Sequence, residues 1–117
     1  MNIRTIFNGA ITDDTYAHSQ LAAFRSNTIN VCENMGDWEW QITGTNIDPC
    51  FDKYLFGKKE EIEWEKAHNI PMEKTFTCIS PIEQNGEFIH CGKCFACKRR
   101  IEGFQKNNYK DLTQYGV

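Results

Sequence analysis

Four cysteines are the residues of this chain best placed to do chemistry: Cys78, then Cys91-Gly92-Lys93-Cys94-Phe95-Ala96-Cys97. Three thiols at two-residue gaps can close round one small ion, and a fourth arriving from a separate segment completes the tetrahedron that zinc prefers. Three other chemistries compete for the same residues. A Cys-Gly-Lys-Cys dithiol alone resembles a redox pair, but Cys97 and Cys78 have no part in a simple exchanger. An iron-sulfur cluster of the bacterial ferredoxin type needs a fourth cysteine followed by proline, and Ile101-Glu102 stands there. Disulfides need an oxidising compartment. Structural zinc held by Cys78, Cys91, Cys94 and Cys97 is the expectation, with no open coordination position and so no Lewis-acid role. His90 could replace Cys78, but neighbouring residues on an extended chain point opposite ways, which favours Cys78 beside Cys91.

The elements that must position these thiols are read from periodicity. Arg4 to Phe7 is β-prone and stops at Asn8-Gly9. The segment Thr12 to Gln20 is polar and reads as a loop, with Asp13 and Asp14 able to meet a ligand. Leu21, Phe24, Thr28, Val31, Cys32 and Met35 recur every three or four positions, which predicts a helix over 21–35 with Cys32 packed as a small hydrophobe. Trp38, Trp40 and Ile42 alternate with polar residues, which predicts a strand over 38–43. Residues 47–56 are aromatic-rich and irregular. A surface helix is expected over 58–68, with Ile62 and Ala67 inward and Glu63 paired with Lys66 outward. Asn69 can take the left-handed cap position and Pro71 forbids continuation. Ser80 to Gly86 is expected as the long loop of the knot, and a short helix is expected to leave it after Cys97.

Length and charge bound the rest. The chain has 117 residues, 40% of them hydrophobic, and a formal charge of -3, which suits one domain (1–70 a β/α half-sheet, 71–117 the zinc-binding segment) and disfavours a general nucleic-acid coat. No stretch approaches a membrane span and the first residues lack a signal-peptide run, so a cytoplasmic protein is expected. In that compartment thiols stay reduced, which agrees with metal binding.

Cys91-Gly92-Lys93-Cys94-Phe95-Ala96-Cys97-Lys98-Arg99-Arg100, then Gly103-Phe104 and Asp111-Leu112-Thr113-Gln114-Tyr115, resembles the carboxy-terminal signature of the QueC family of 7-cyano-7-deazaguanine synthases. Thr75-Phe76-Thr77-Cys78, Lys59-Glu60-Glu61-Ile62 and Ile6-Phe7-Asn8-Gly9-Ala10 with Asp13-Asp14 extend the resemblance upstream. It implies an α/β fold: part of an adenine-nucleotide α-hydrolase-like (Rossmann-like) parallel sheet, with a carboxy-terminal four-cysteine zinc knot. It also implies a ligase that activates the carboxylate of 7-carboxy-7-deazaguanine with ATP and converts it with ammonia into the nitrile, in queuosine biosynthesis. Arg100 would then lie on the substrate side of the knot, its other reading being a surface cation near a helix end.

The family's Ser-Gly-Gly-x-Asp-Ser loop, which holds the nucleotide phosphates, has no counterpart here, because no two of the eight glycines are adjacent or two apart. ATP could therefore act only through a partner chain that carries such a loop. Two strands also leave a sheet edge seeking cover, so either that partner or a homodimer is expected. The rival reading is a non-catalytic zinc-stabilised binding protein, taking a deazapurine, a nucleotide or a protein through Arg99, Arg100 and the Asp13-Asp14 loop. A zinc-ribbon nucleic-acid binder using Lys93, Lys98, Arg99 and Arg100 is disfavoured by the acidity.

Overall fold

The structure, a computed structural model, describes residues 3–52 and 55–116. The chain divides into two compact units, residues 1–57 and 58–117. The division falls at residue 58, where the second long helix begins, so that helix lies in the same compact unit as Cys78, Cys91, Cys94 and Cys97. No helix among the described residues is long and apolar enough to cross a membrane.

The amino-terminal unit is built as strand, helix, strand: β1 (Thr5–Phe7), α1 (Leu21–Met35) and β2 (Gln41–Thr43). The strands pair in parallel, with Thr5 opposite Gln41, Ile6 opposite Ile42 and Phe7 opposite Thr43. Helix α1 buries Phe24 and Cys32, each 2% exposed, as the heptad-like spacing requires. It stops at Gly36, whose left-handed φ of 62° lets its N–H reach the carbonyls of Cys32 and Glu33. Met35, expected on the inward face, is exposed.

The strand expected over 38–43 is shorter. Trp38 and Glu39 form a turn, and Trp38 is exposed to 70%. The cause is Asp37: its Oδ1 accepts the Glu39 N–H at 3.0 Å, bending the chain, while its Oδ2 accepts from Arg4 Nε at 2.7 Å. Local side-chain bonding to the backbone overrode the alternation.

The carboxy-terminal unit contains α2 (Lys58–Ala67), a hairpin of β3 (Ile82–Gln84) and β4 (Glu87–Ile89), and α3 (Phe95–Lys106). Its apolar core is Ile62, Met72 and Phe104, with Tyr109 packed on it. Gly103 lets the helices approach, since a Cβ there would sit 2.5 Å from Ile62 Cδ1.

Ala67, expected inward, is exposed. Five residues at about 100° each place it about 140° round the helix from Ile62, so the covered stripe is instead Lys58, Glu61, Ile62 and Glu65. Lys66 reaches the Asn107 carbonyl and the Tyr109 ring, and among the described residues Lys58 forms an ion pair with Glu61 on this helix. Asn69 takes the left-handed conformation expected of it, φ 54°.

The expected long loop over 80–86 is a two-residue hairpin. Asn85 and Gly86 both have positive φ, 55° and 82°, the turn whose twist matches that of the strands.

Candidate metal centre

The cage is assembled from three local devices. Thr75 closes a 3-10 turn (Met72–Lys74) and the chain then runs extended to Cys78. The β3–β4 hairpin returns it to Cys91. Gly92, at φ +69°, then turns it sharply, with the Tyr115 ring packed at 3.6 Å from where a Cβ would lie. Cys94 caps the amino end of α3, its Sγ accepting the Cys97 N–H at 3.4 Å. Cys97 occupies the first helical turn and is fully buried.

The ligand atoms of Cys78, Cys91, Cys94 and Cys97 all lie within 4.8 Å of one another. The Cys78–Cys94 sulfurs are 3.9 Å apart and the Cys91–Cys97 sulfurs 4.0 Å. Four sulfurs about 2.3 Å from a central ion at tetrahedral angles stand about 3.8 Å apart, so the cage fits a four-thiolate metal ion. All six cysteines of the chain are unpaired.

Backbone amides point into the cage: Cys91 N–H to Cys78 Sγ at 3.3 Å, and Lys93 and Cys94 N–H to Cys91 Sγ at 3.4 and 3.2 Å. Such donors favour thiolate over thiol. They hold the Cys91 thiol below its ordinary range. Burial pushes Cys94 up, but the N–H groups of Cys97 and Ile79 and the neighbouring thiols outweigh it and bring the thiol down to about 6. Burial, together with the Cys94 thiol, pushes Cys97 up to about 12.

His90 lies outside the set. Its Nε2 accepts the Thr77 N–H at 3.1 Å, and its ring packs against Phe76 and Tyr115. Burial, and then the nearby Arg100 charge, hold its pKa below the ordinary value, so the imidazole is a neutral structural acceptor.

The remaining residues singled out from the sequence do not join the cage. Asp13 and Asp14 belong to the other unit. Asp14 Oδ2 accepts the Ile11 N–H at 2.9 Å, and the Asp13 carboxylate closes on Gly57, 3.0 Å from where its Cβ would be. Arg100 is 0% exposed, which removes its reading as a surface cation. Its three nitrogens donate to the Met72 carbonyl and to the hydroxyls of Thr75 and Thr113.

Sequence reasoning missed those two threonines, and the Tyr115–Asp111 bond of 2.6 Å that shapes the tail over Gly92. No spacing rule links Arg100 to Thr75 and Thr113, 25 and 13 positions away; the hairpin, by contrast, carries a local signal in Asn85-Gly86.

A parallel strand-helix-strand unit and a four-cysteine cage whose Cys94 caps α3 define a mixed α/β protein with four cysteines positioned to hold a metal ion. The profile of the family described as "Queuosine biosynthesis protein QueC" matches residues 2–108. The chain belongs to the QueC family. It is 40% identical over 58 residues to a 7-cyano-7-deazaguanine synthase of Clostridium kluyveri, covering 50% of this chain and 24% of that protein. It is 24% identical over 116 residues to that of Campylobacter jejuni, covering 97% of this chain and 47% of the relative. It is 30% identical over 87 residues to that of Rickettsia prowazekii, 74% and 35% respectively. The chain therefore spans less than half the length of these curated relatives. No solved structure matches it.

Proposed function

We propose that this chain is the zinc-bearing carboxy-terminal half of a QueC-like synthase that converts 7-carboxy-7-deazaguanine to 7-cyano-7-deazaguanine with ATP and ammonia, and that a second chain carrying the phosphate-binding loop completes it. Zinc serves as its structural ion: the sulfur spacing of 3.9 to 4.0 Å suits one tetrahedral ion and not a multinuclear cluster, the run lacks the further cysteine and proline of the bacterial ferredoxin motif, and elemental analysis separates zinc from a single iron.

The half-built sheet carries the reading. Gln41 N–H bonds the Arg4 carbonyl at 2.8 Å and Asn8 N–H bonds that of Thr43 at 2.7 Å. By the alternation of a parallel ladder, Thr5, Phe7 and Ile42 then turn their backbone groups away from the pairing. The outward N–H of Ile42 is taken by a hydroxyl: Thr28 Oγ1 accepts it at 2.9 Å, while the one hydroxyl proton has the Phe24 carbonyl at 2.8 Å as its nearer acceptor and the Ile42 carbonyl at 3.3 Å as its farther one. Helix α1 thus covers part of the β2 edge. No described residue bonds the outward backbone of Thr5 and Phe7, and all three residues of β1 are exposed, Phe7 to 60%. Parallel sheets are normally covered on both faces and flanked by further strands. A recess of about 380 Å³ beside Thr5, Phe7, Gln41 and Thr43 marks a face with room for more cover. These features favour completion of the sheet on the β1 side.

The test is reconstitution. This chain, mixed with a QueC-like chain carrying a Ser-Gly-Gly-x-Asp-Ser loop, is expected to co-elute with it and to yield the nitrile, read by mass spectrometry, while neither chain acts alone. Failure of every such chain to bind would refute the split-enzyme reading.

A second reading, a non-catalytic zinc-stabilised binding protein active alone or as a homodimer, has one observation in its favour. Asp14 and Arg100, offered to substrate by the resemblance, both have bonds within the protein. Binding of a deazapurine by the isolated chain, without any partner, would favour it.

A further inference from the structure

Arg100 lies on α3 one turn after Cys97, and neither residue has exposed surface. Its guanidinium is a rigid fork of five N–H donors that does not lose its charge. Nη2 donates to the Met72 carbonyl at 2.6 Å, Nη1 to Thr75 Oγ1 at 2.9 Å and Nε to Thr113 Oγ1 at 2.9 Å. Thr75 Oγ1 in turn donates to the Met72 carbonyl at 2.8 Å, so two arms of the fork fasten one closed turn. The guanidinium carbon lies 5.5 Å from the centre of the Phe104 ring. Among the described residues no carboxylate forms an ion pair with it.

The segments fastened in this way are those that the cage cannot fix by itself. Cys91, Cys94 and Cys97 sit in one short run whose geometry is set by Gly92 and the cap of α3. Cys78 alone comes from outside that run, three positions after Thr75. Thr113 starts the tail that reaches Gly92: the Gln114 carbonyl accepts the His90 N–H at 3.3 Å, and the Gly116 N–H donates to the His90 carbonyl at 2.7 Å.

We propose that Arg100 is a positioning residue for the metal cage, holding the Cys78 segment against α3 through Thr75 and Met72 so that the fourth thiol is in place when metal arrives. Pre-ordering a ligand raises affinity by removing the cost of ordering it on binding. Groups that orient metal ligands from outside the coordination sphere change affinity by about 10- to 100-fold when altered. This proposal does not depend on the chain's catalytic status or on a partner.

The test uses the full chain, with zinc affinity measured by competition against a chromophoric chelator and cobalt(II) absorption recorded in parallel. Arg100→Lys keeps the charge without the fork. Thr75→Val keeps Arg100 and deletes one arm's acceptor, which provides a variant that folds should Arg100→Lys fail to. Lys98→Ala, at an exposed position of the same helix, controls for substitution in α3 as such. Arg100→Lys and Thr75→Val are each expected to bind zinc at least tenfold more weakly than Lys98→Ala. They are also expected to show weaker sulfur-to-cobalt charge-transfer absorption, because Cys78 is not fully engaged. Zinc affinities and cobalt spectra equal to those of Lys98→Ala, even with a lower melting temperature, would overturn the proposal and leave Arg100 a core-packing residue only.

Discussion

Replacing Gly103 by alanine tests the packing on which α3, and with it half the cage, depends. In a free helix the change gains about 1 kcal/mol, because glycine loses more backbone freedom on folding than alanine. Here the added Cβ would stand 2.5 Å from Ile62 Cδ1 and 3.4 Å from the Lys58 carbonyl, where carbon atoms prefer about 3.5 to 4 Å. Ile62 is 0% exposed, so its methyl has nowhere to retreat. Overpacking of this kind costs about 1 to 3 kcal/mol, and a contact this short belongs to the upper half of that range. The net expectation for Gly103→Ala is about 1 to 2 kcal/mol of destabilisation. Ile62→Val removes the clashing methyl and alone costs about 0.5 to 1.5 kcal/mol. In the double variant the alanine methyl fills the vacated space and the helix gain remains, so stability should return to within about 0.5 kcal/mol of the parent. Urea unfolding at fixed excess metal, read by far-ultraviolet dichroism, measures all four proteins on one footing. A double variant whose loss equals the sum of the single losses would refute the claimed contact.

Three further outcomes follow from the structure. Chelation should unfold the carboxy-terminal unit with loss of the α3 dichroism and release of one zinc per chain, because a structural four-thiolate site contributes about 10 to 16 kcal/mol against a total domain stability of about 5 to 15; iron with visible absorption in the purified protein would refute zinc. Glu65 has a buried Oε2 with no hydrogen-bond partner among the described residues, and burial, then the neighbouring Glu61, raise its pKa. A carboxyl whose pKa is raised in the folded state contributes stability that is fully present below its unfolded pKa and is lost as the pH rises from there through its folded pKa. Glu65→Gln should therefore gain up to about 1 kcal/mol at pH 7 and lose that advantage in acid, and urea midpoints that do not diverge with pH would contradict this. Thr28→Val, which leaves the Ile42 N–H without its acceptor, should cost about 1 to 3 kcal/mol while Thr28→Ser retains most of the stability; a valine variant as stable as the parent would remove the edge-capping role.

Legibility in the sequence followed the range of the forces involved. The thiol cluster was readable because three ligands lie in one run and tetrahedral chemistry demands a fourth, and Cys78 is the residue the structure brings to them. Helix α1 was readable to its ends because Gly36 and the Phe24–Cys32 stripe are local signals. The strand over 38–43 misled because alternation says nothing of Asp37 bending the chain through Glu39 and Arg4. The segment over 80–86 holds a hairpin turn because Asn85 and Gly86 both take positive φ, a local signal that outweighs the polar composition suggesting a loop. Arg100 misled most: a cation near the end of a metal motif suggests solvent or substrate, and only the fold shows Thr75, Met72 and Thr113 converging on it from segments far apart in the chain.

The stretch in which the resemblance is strongest, from Cys78 to Phe104 and on to Tyr115, is occupied by structural duties. The four cysteines form the cage, Gly92 accommodates Tyr115, Gly103 admits Ile62, Phe104 fills the core and Arg100 bonds three protein oxygens. Motif residues with such duties are required whether the protein catalyses or only binds, so their presence identifies the family and does not discriminate between the two readings of its function. The discrimination lies in the other unit, where β1 pairs with β2 on one side and is exposed on the other, while the Thr28 hydroxyl caps the outward N–H of β2. A lone monomer gains nothing from leaving Phe7 60% exposed beside an open strand edge, since such an edge invites association. A loop-bearing partner chain and a second copy of this chain would each cover it, so co-elution with a QueC-like chain against self-association of the chain alone is the measurement that separates the split synthase from a homodimeric binding protein.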